Sequence, residues 1–128
     1  MYLEWLMRSC SEKPLQITKE KVVTHEWVKM TGGRRLFGKV TLRLKQANCF
    51  EFQSKVDWPR KTALFETNVI DGILDAAFLD LHASPENVMF VLEEIEWSES
   101  DSVAHAYRNA ARDAVKEAFR YRLVQSDV

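Results

Sequence analysis

Lys39-Val40-Thr41-Leu42-Arg43-Leu44-Lys45 alternates apolar with polar or charged residues without a break. That is the period of a half-buried antiparallel strand with a basic solvent side. Past the loop Asp57-Trp58-Pro59-Arg60 the period changes. Leu64, Ile70, Ile73, Leu74, Ala77, Phe78 and Leu81 fall at helical spacing, with Asp71 and Asp75 on another side. A chain that switches period in this way must lay an amphipathic helix on a one-sided sheet.

The rest of the chain extends this pattern. Val22, Val23, Thr24, Trp27 and Val28 argue for a strand from Lys19 to Met30, broken by Thr31-Gly32-Gly33-Arg34-Arg35. After the short turn Gln46-Ala47-Asn48, Phe50, Phe52 and Val56 continue the alternation in a third strand. Ser84-Pro85 stops the first helix. Val88-Met89-Phe90-Val91-Leu92 is an uninterrupted apolar run, as in a central strand covered on both faces. Ser98 to Asp101 offers helix-starting residues, and residues from about 102 to 123 read as the longest helix. Its Ala106, Ala110, Ala114 and Ala118 form a small-residue row that allows close packing. The order βββαβα gives an α+β two-layer sandwich. Its expected core is Val40, Leu42, Leu44, Phe50, Phe52, Ile70, Ile73, Leu74, Phe78, Val91 and Ala110.

At 128 residues the chain fits a single domain, with residues 1–16 an N-terminal extension of unassigned form. The apolar fraction of 46% is that of a chain with a real core. No apolar run approaches the about 18 residues of a membrane span, so no membrane partner is expected. The start, with Glu4 and no basic stretch, is not read as a secretory signal. Cys10 and Cys49 are too few for a disulfide framework. A reducing cytoplasm is the expected compartment.

The chemistry of enzymes finds little footing. His25, His82 and His105 sit in no nucleophile–base context, and there is no GxSxG, HxxxH or CxxC. Glu93, Glu94 and Glu96 read as an exposed strand end rather than a metal site. Gly32-Gly33 with Gly38 lacks the Lys-Ser/Thr of a phosphate loop and joins two strands. No catalysis, metal or cofactor is expected.

Charge is more informative. Residues 1–62 hold 13 Lys/Arg against 6 Asp/Glu, and residues 63–128 hold 5 against 13, so a net charge of −1 conceals two opposed halves. Lys29, Gly32, Gly33, Arg34, Arg35, Lys39 and Arg43 are the candidate nucleic-acid-binding residues. If His25, Trp27 and Lys29 share an outer face, cations and a stacking ring stand together there, as on RNA-binding surfaces. Arg34 and Arg35 would then supply charge at little consequence to the fold. The opposing expectation is that the basic half is neutralised by Glu93, Glu94 and Glu96, which favours a protein partner. The sequence leaves the oligomeric state open.

Over about residues 17–123 the chain resembles domain IV of bacterial elongation factor G. Thr31-Gly32-Gly33-Arg34-Arg35-Leu36-Phe37-Gly38-Lys39-Val40 is similar to the family's (S/T)GGRGQYGHV segment, with Phe37 in the place of Tyr. Glu51-Phe52 looks like its YEF strand, Val69-Ile70-Asp71-Gly72-Ile73 like its AVDKGI helix, and Ala106-Tyr107-Arg108 like the start of its last helix. The resemblance implies the fold of a small-subunit ribosomal protein domain, with a left-handed crossover between the third and fourth strands. It also implies ribosome or structured RNA as a partner, reached through two loops at the tip. Both loops depart from the family: Arg35 and Leu36 stand for Gly and Gln, and Ser98 or Glu99 for a histidine. The GTPase and the other domains of the factor have no counterpart in these residues.

Overall fold

The computed structural model describes Leu15, Ile17, residues 19–59 and residues 63–126, with side chains in the last stretch running from Leu64 to Phe119. The extension expected over residues 1–16 lies outside the described residues except for Leu15. Four strands and two helices follow in the order β1 (Lys21–Thr31), β2 (Arg34–Gln46), β3 (Glu51–Ser54), α1 (Ala63–Asp75), β4 (Val88–Glu96) and α2 (Ala104–Ser126). A π-helical turn, Ala76–Asp80, extends α1. This is the expected α+β two-layer sandwich, with the sheet order β1-β2-β4-β3.

β1 and β2 form a hairpin whose loop is only Gly32-Gly33, at φ of +57° and +74°. Thr31, Arg34 and Arg35, expected to lie in the break, are paired strand residues. Two consecutive positive φ values match the right-handed twist of the flanking strands and suit glycine. β3 is shorter than expected and parallel to β4, so the apolar run Val88–Leu92 is a central strand between β2 and β3. The register of β2 against β4 slips between Thr41 and Leu42. This bulge reverses the facing of β4: Phe90 and Leu92 point into the core, while Glu94 and Glu96 stand on the open face beyond it.

Val40, Leu42, Leu44, Val88, Phe90 and Leu92 supply the inner sheet face, against Val69, Ile73, Ala110, Ala114 and Val115 of the helices. Of the expected core, Phe50, Phe52, Ile70 and Phe78 are only half-buried; Leu64, which the helical spacing had put on the apolar stripe, is exposed. Phe50 precedes and Phe52 lies within β3, a short edge strand with a neighbouring strand on one side only among the described residues. The helix α1 is turned slightly from its apolar stripe, so Phe65 and Val69 take the buried positions.

Two glycines set the spacing of the layers. A Cβ on Gly38 would stand 2.6 Å from the Ala106 carbonyl carbon, and one on Gly72 would stand 2.2 Å from the Arg108 carbonyl oxygen. Gly38 thus lets α2 rest on β2, and Gly72 lets α1 rest on α2. Gly38 belongs to strand packing rather than to the loop in which sequence spacing had placed it.

Candidate interaction surface

Both helices lie on one face of the sheet, and among the described residues no helix or strand covers the other, although Phe37 and Val91 on it are buried. β2 presents Lys39, Thr41, Arg43 and Lys45 there, as its alternation requires. Each cation of this row meets an acid. Lys39 Nζ lies 2.7 Å from Glu96 Oε2. Arg43 donates from Nε to Glu93 and from Nη1 to Glu20, each at 2.8 Å. Lys45 reaches Glu20 at 3.5 Å, and Lys55 reaches Glu93 at 3.3 Å. The bulge allows this pairing, because it leaves Glu93 with its carboxylate toward Arg43. The electrostatics answer in kind: the hydrogen bond with Glu96 raises the Lys39 pKa, and that with Arg43 lowers the Glu93 pKa. Glu93 is therefore not the exposed strand-end acid that the sequence suggested. Its side chain is 16% exposed.

Arg35 is engaged as well. Its Nη1 donates to Asp101 Oδ2 at 3.0 Å, its Nη2 lies 4.0 Å from Glu26, and its guanidinium sits 4.7 Å from the centre of the Phe37 ring. That hydrogen bond holds the Asp101 carboxyl below its usual range. The loop carrying Asp101 also accepts the Phe37 amide at 3.0 Å, so Arg35 ties β2 to the entry of α2. Its role is structural, contrary to the expectation of a freely replaceable cation. Of the seven candidate residues, Lys29, Gly32, Gly33 and Arg34 remain exposed at the hairpin end. Among the described residues neither Lys29 nor Arg34 has an acidic partner.

The stacking surface is absent from the open face. His25 and Trp27 do share a side of β1, but α2 covers it. The Trp27 ring meets His105 edge-on at 5.7 Å, and His25 Nε2 lies 3.6 Å from Glu117. Lys21, on the same side, donates to the Ala118 carbonyl at 2.8 Å. The open side of β1 instead carries Val22, Thr24, Glu26, Val28 and Met30. Val22, Val28 and Met30 are 53%, 43% and 65% exposed. The sequence held a signal for this row, since the even-numbered residues of the strand are as apolar as the odd ones. Thr24 Oγ1 and Thr41 Oγ1 lie 2.9 Å apart across the hairpin.

Other polar contacts serve the fold. Tyr107, fully buried, donates to the Glu96 carbonyl at 2.6 Å and lies 2.9 Å from Ser102 Oγ. Its ring joins Trp58, Phe65 and Trp97 in one aromatic cluster. Arg112 grips Asp80 through two bonds of 2.6 and 2.7 Å, and Arg108 holds Asp75 at 2.7 Å. Among the described residues no cluster of His, Cys, Asp and Glu could hold a metal ion. No helix of the described residues is long and apolar enough to cross a membrane.

No family model matches the sequence, and no curated protein matches it. Structural likeness does exist. A solved structure from Thermus thermophilus superposes on 85% of this chain with a TM-score of 0.71 at 24% identity. This chain spans 17% of the length of that protein, so the likeness is to one part of a much longer molecule and concerns the fold.

Proposed function

We propose that this chain is a non-catalytic interaction module with an elongation factor G domain IV-like fold, and that its open sheet face and β1 edge engage protein. The supporting observation is the internal pairing of Lys39 with Glu96, Arg43 with Glu93 and Glu20, and Arg35 with Asp101. A phosphate backbone would have to displace these acids to reach the cations. Beside these pairs the surface exposes the apolar side chains Val22, Val28 and Met30, with Thr24 and Glu26 between them.

Structured RNA, the ribosome included, is the second reading. It is favoured by Lys29 and Arg34, which flank the Gly32-Gly33 turn and have no acidic partner among the described residues. Two phosphate contacts would give a salt-dependence slope of about 2 at most.

Co-sedimentation of tagged protein with large assemblies from lysate, with and without nuclease and at low and high salt, separates the two. Association that survives nuclease and salt and is lost in Val28→Lys or Met30→Ser supports the protein reading. Association that is abolished by nuclease, and by Lys29→Ala with Arg34→Ala, replaces it with the RNA reading.

A further inference from the structure

β1 is an edge strand of 11 residues, and its outer edge has no strand beside it among the described residues. Edges of this kind are ordinarily blunted by proline, a bulge, shortness or charged side chains. β1 contains no proline and pairs with β2 without a slip from Lys21 to Thr31; of its charges, Lys21 is turned to the Ala118 carbonyl, which leaves Glu26 and Lys29. The two-residue turn fixes which backbone groups are free. Thr31 and Arg34 close the hairpin as a hydrogen-bonded pair, so the odd-numbered residues of β1 bond to β2. The N–H and C=O groups of Val22, Thr24, Glu26 and Val28 therefore point outward at the free edge.

We infer that β1 pairs antiparallel with β1 of a second copy of this chain, about a two-fold axis at His25, to give one continuous eight-stranded sheet. The inference rests on the protein-binding reading above and names its partner. A symmetric antiparallel ladder can join these outward groups in only a few registers, and their side chains discriminate among them. An axis at Glu26 sets Glu26 directly against its own copy, where like charges repel. An axis at Thr24 puts Val22 against Glu26, and one at Trp27 puts Val28 against Glu26. Of these, only the axis at His25 sets valine against valine and keeps Glu26 from facing an apolar residue or its own copy, with His25 opposite its counterpart. Val22 faces Val28 of the other copy, twice, and Thr24 faces Glu26, twice.

The covered side accommodates the same register. An open groove of about 510 Å³ lies between the β1 edge and α2, lined by Lys21, Val22, Val23, Thr24, Glu117 and Ala118. With the axis at His25, Trp27 of the other copy falls opposite Val23, beside this groove. Lys21 would meet Lys29 of the other copy, but the Lys21 ammonium is already turned toward α2 and held by the Ala118 carbonyl at 2.8 Å.

Sedimentation equilibrium of the purified chain, from about 1 to 200 µM, tests this by mass action. A species of twice 14.9 kDa that grows with concentration is expected. Glu26→Pro removes an outward N–H and leaves the β1–β2 ladder intact, so it should weaken association at least about tenfold with an unchanged circular-dichroism spectrum. The register has its own readout, in a Cys10→Ser, Cys49→Ser background. His25→Cys places two cysteines across the axis at a Cα separation of about 4.5 Å, within disulfide reach, and should give a linked dimer on oxidation. Thr24→Cys should not. If Glu26→Pro fails to fold, the cysteine pair decides alone. A chain that stays monomeric throughout the range, or that links through Thr24→Cys in preference to His25→Cys, overturns the inference. Should a monomeric chain still lose its nuclease-resistant co-sedimentation in Val28→Lys, the interaction-module reading stands and only the self-pairing falls.

Discussion

Gly38→Ala is the substitution on which the layer packing can be judged most directly. The added methyl would meet three backbone atoms of α2: Ala106 C at 2.6 Å, Tyr107 N at 2.7 Å and Ala106 O at 2.8 Å. None is the end of a flexible side chain, so relief requires α2 to lift from β2. Lifting it would loosen Val40 and Leu42 below, and Tyr107 beside them, all fully buried. Overpacking of this kind costs about 1–3 kcal/mol or more. The loss of unfolded-chain entropy on replacing glycine returns only about 0.4–1 kcal/mol. A net destabilisation of about 2 kcal/mol is expected, which for a domain of this size lowers Tm by about 6–10 °C. Urea unfolding of Gly38→Ala beside the parent measures it. Adding Ala106→Gly should bring no recovery, because the clash is with the main chain. A loss below about 0.5 kcal/mol, or recovery in the double variant, would refute the argument that Gly38 sets the sheet–helix distance.

Further expectations follow from single contacts. Tyr107→Phe leaves the Glu96 carbonyl without the phenol that donates to it at 2.6 Å and should cost about 1–3 kcal/mol in thermal unfolding. His82, at φ of +50°, sits in the left-handed region just past the π-helical turn; His82→Gly should stabilise the fold by about 0.5–1 kcal/mol in urea unfolding. The Arg112 hydrogen bond, partly offset by burial, lowers the Asp80 pKa from its ordinary value of 3.8. A lowered folded-state pKa contributes stability above the unfolded value that is lost as pH falls through the folded one, so acid unfolding of Asp80→Asn should show a weaker pH dependence below about pH 4.

The strand and helix periods are local, and most of the architecture could be read from them. Alternation over Lys39–Lys45 identified the half-buried β2, the apolar run Val88–Leu92 identified the central strand, and the alanine row identified the packing face of α2, all four of whose alanines are buried. The candidate site was legible only as composition. Alternation showed that Arg43 and Lys45 point to solvent, but acids up to 66 residues away neutralise the cations of this surface, as the Arg35–Asp101 pair shows. That pairing depends on the order β1-β2-β4-β3 and on the bulge between Thr41 and Leu42, which no local period encodes. The side of β1 that α2 would cover was equally hidden. Val22 and Val23 are alike in the sequence, and only the docking of α2 makes one half-buried and leaves the other exposed. The π-helical turn shows the same division. Asp75 and Asp80 stand five residues apart, while Arg108 and Arg112 on α2 stand four apart. An ordinary helix would not match those spacings, but the bond from the Leu81 amide to the Ala76 carbonyl at 2.9 Å accommodates the extra residue. Periods and turn residues act between neighbours, so they are written in the chain. Charge neutralisation and the choice of buried face arise between segments distant in sequence, and only the packed structure brings those together.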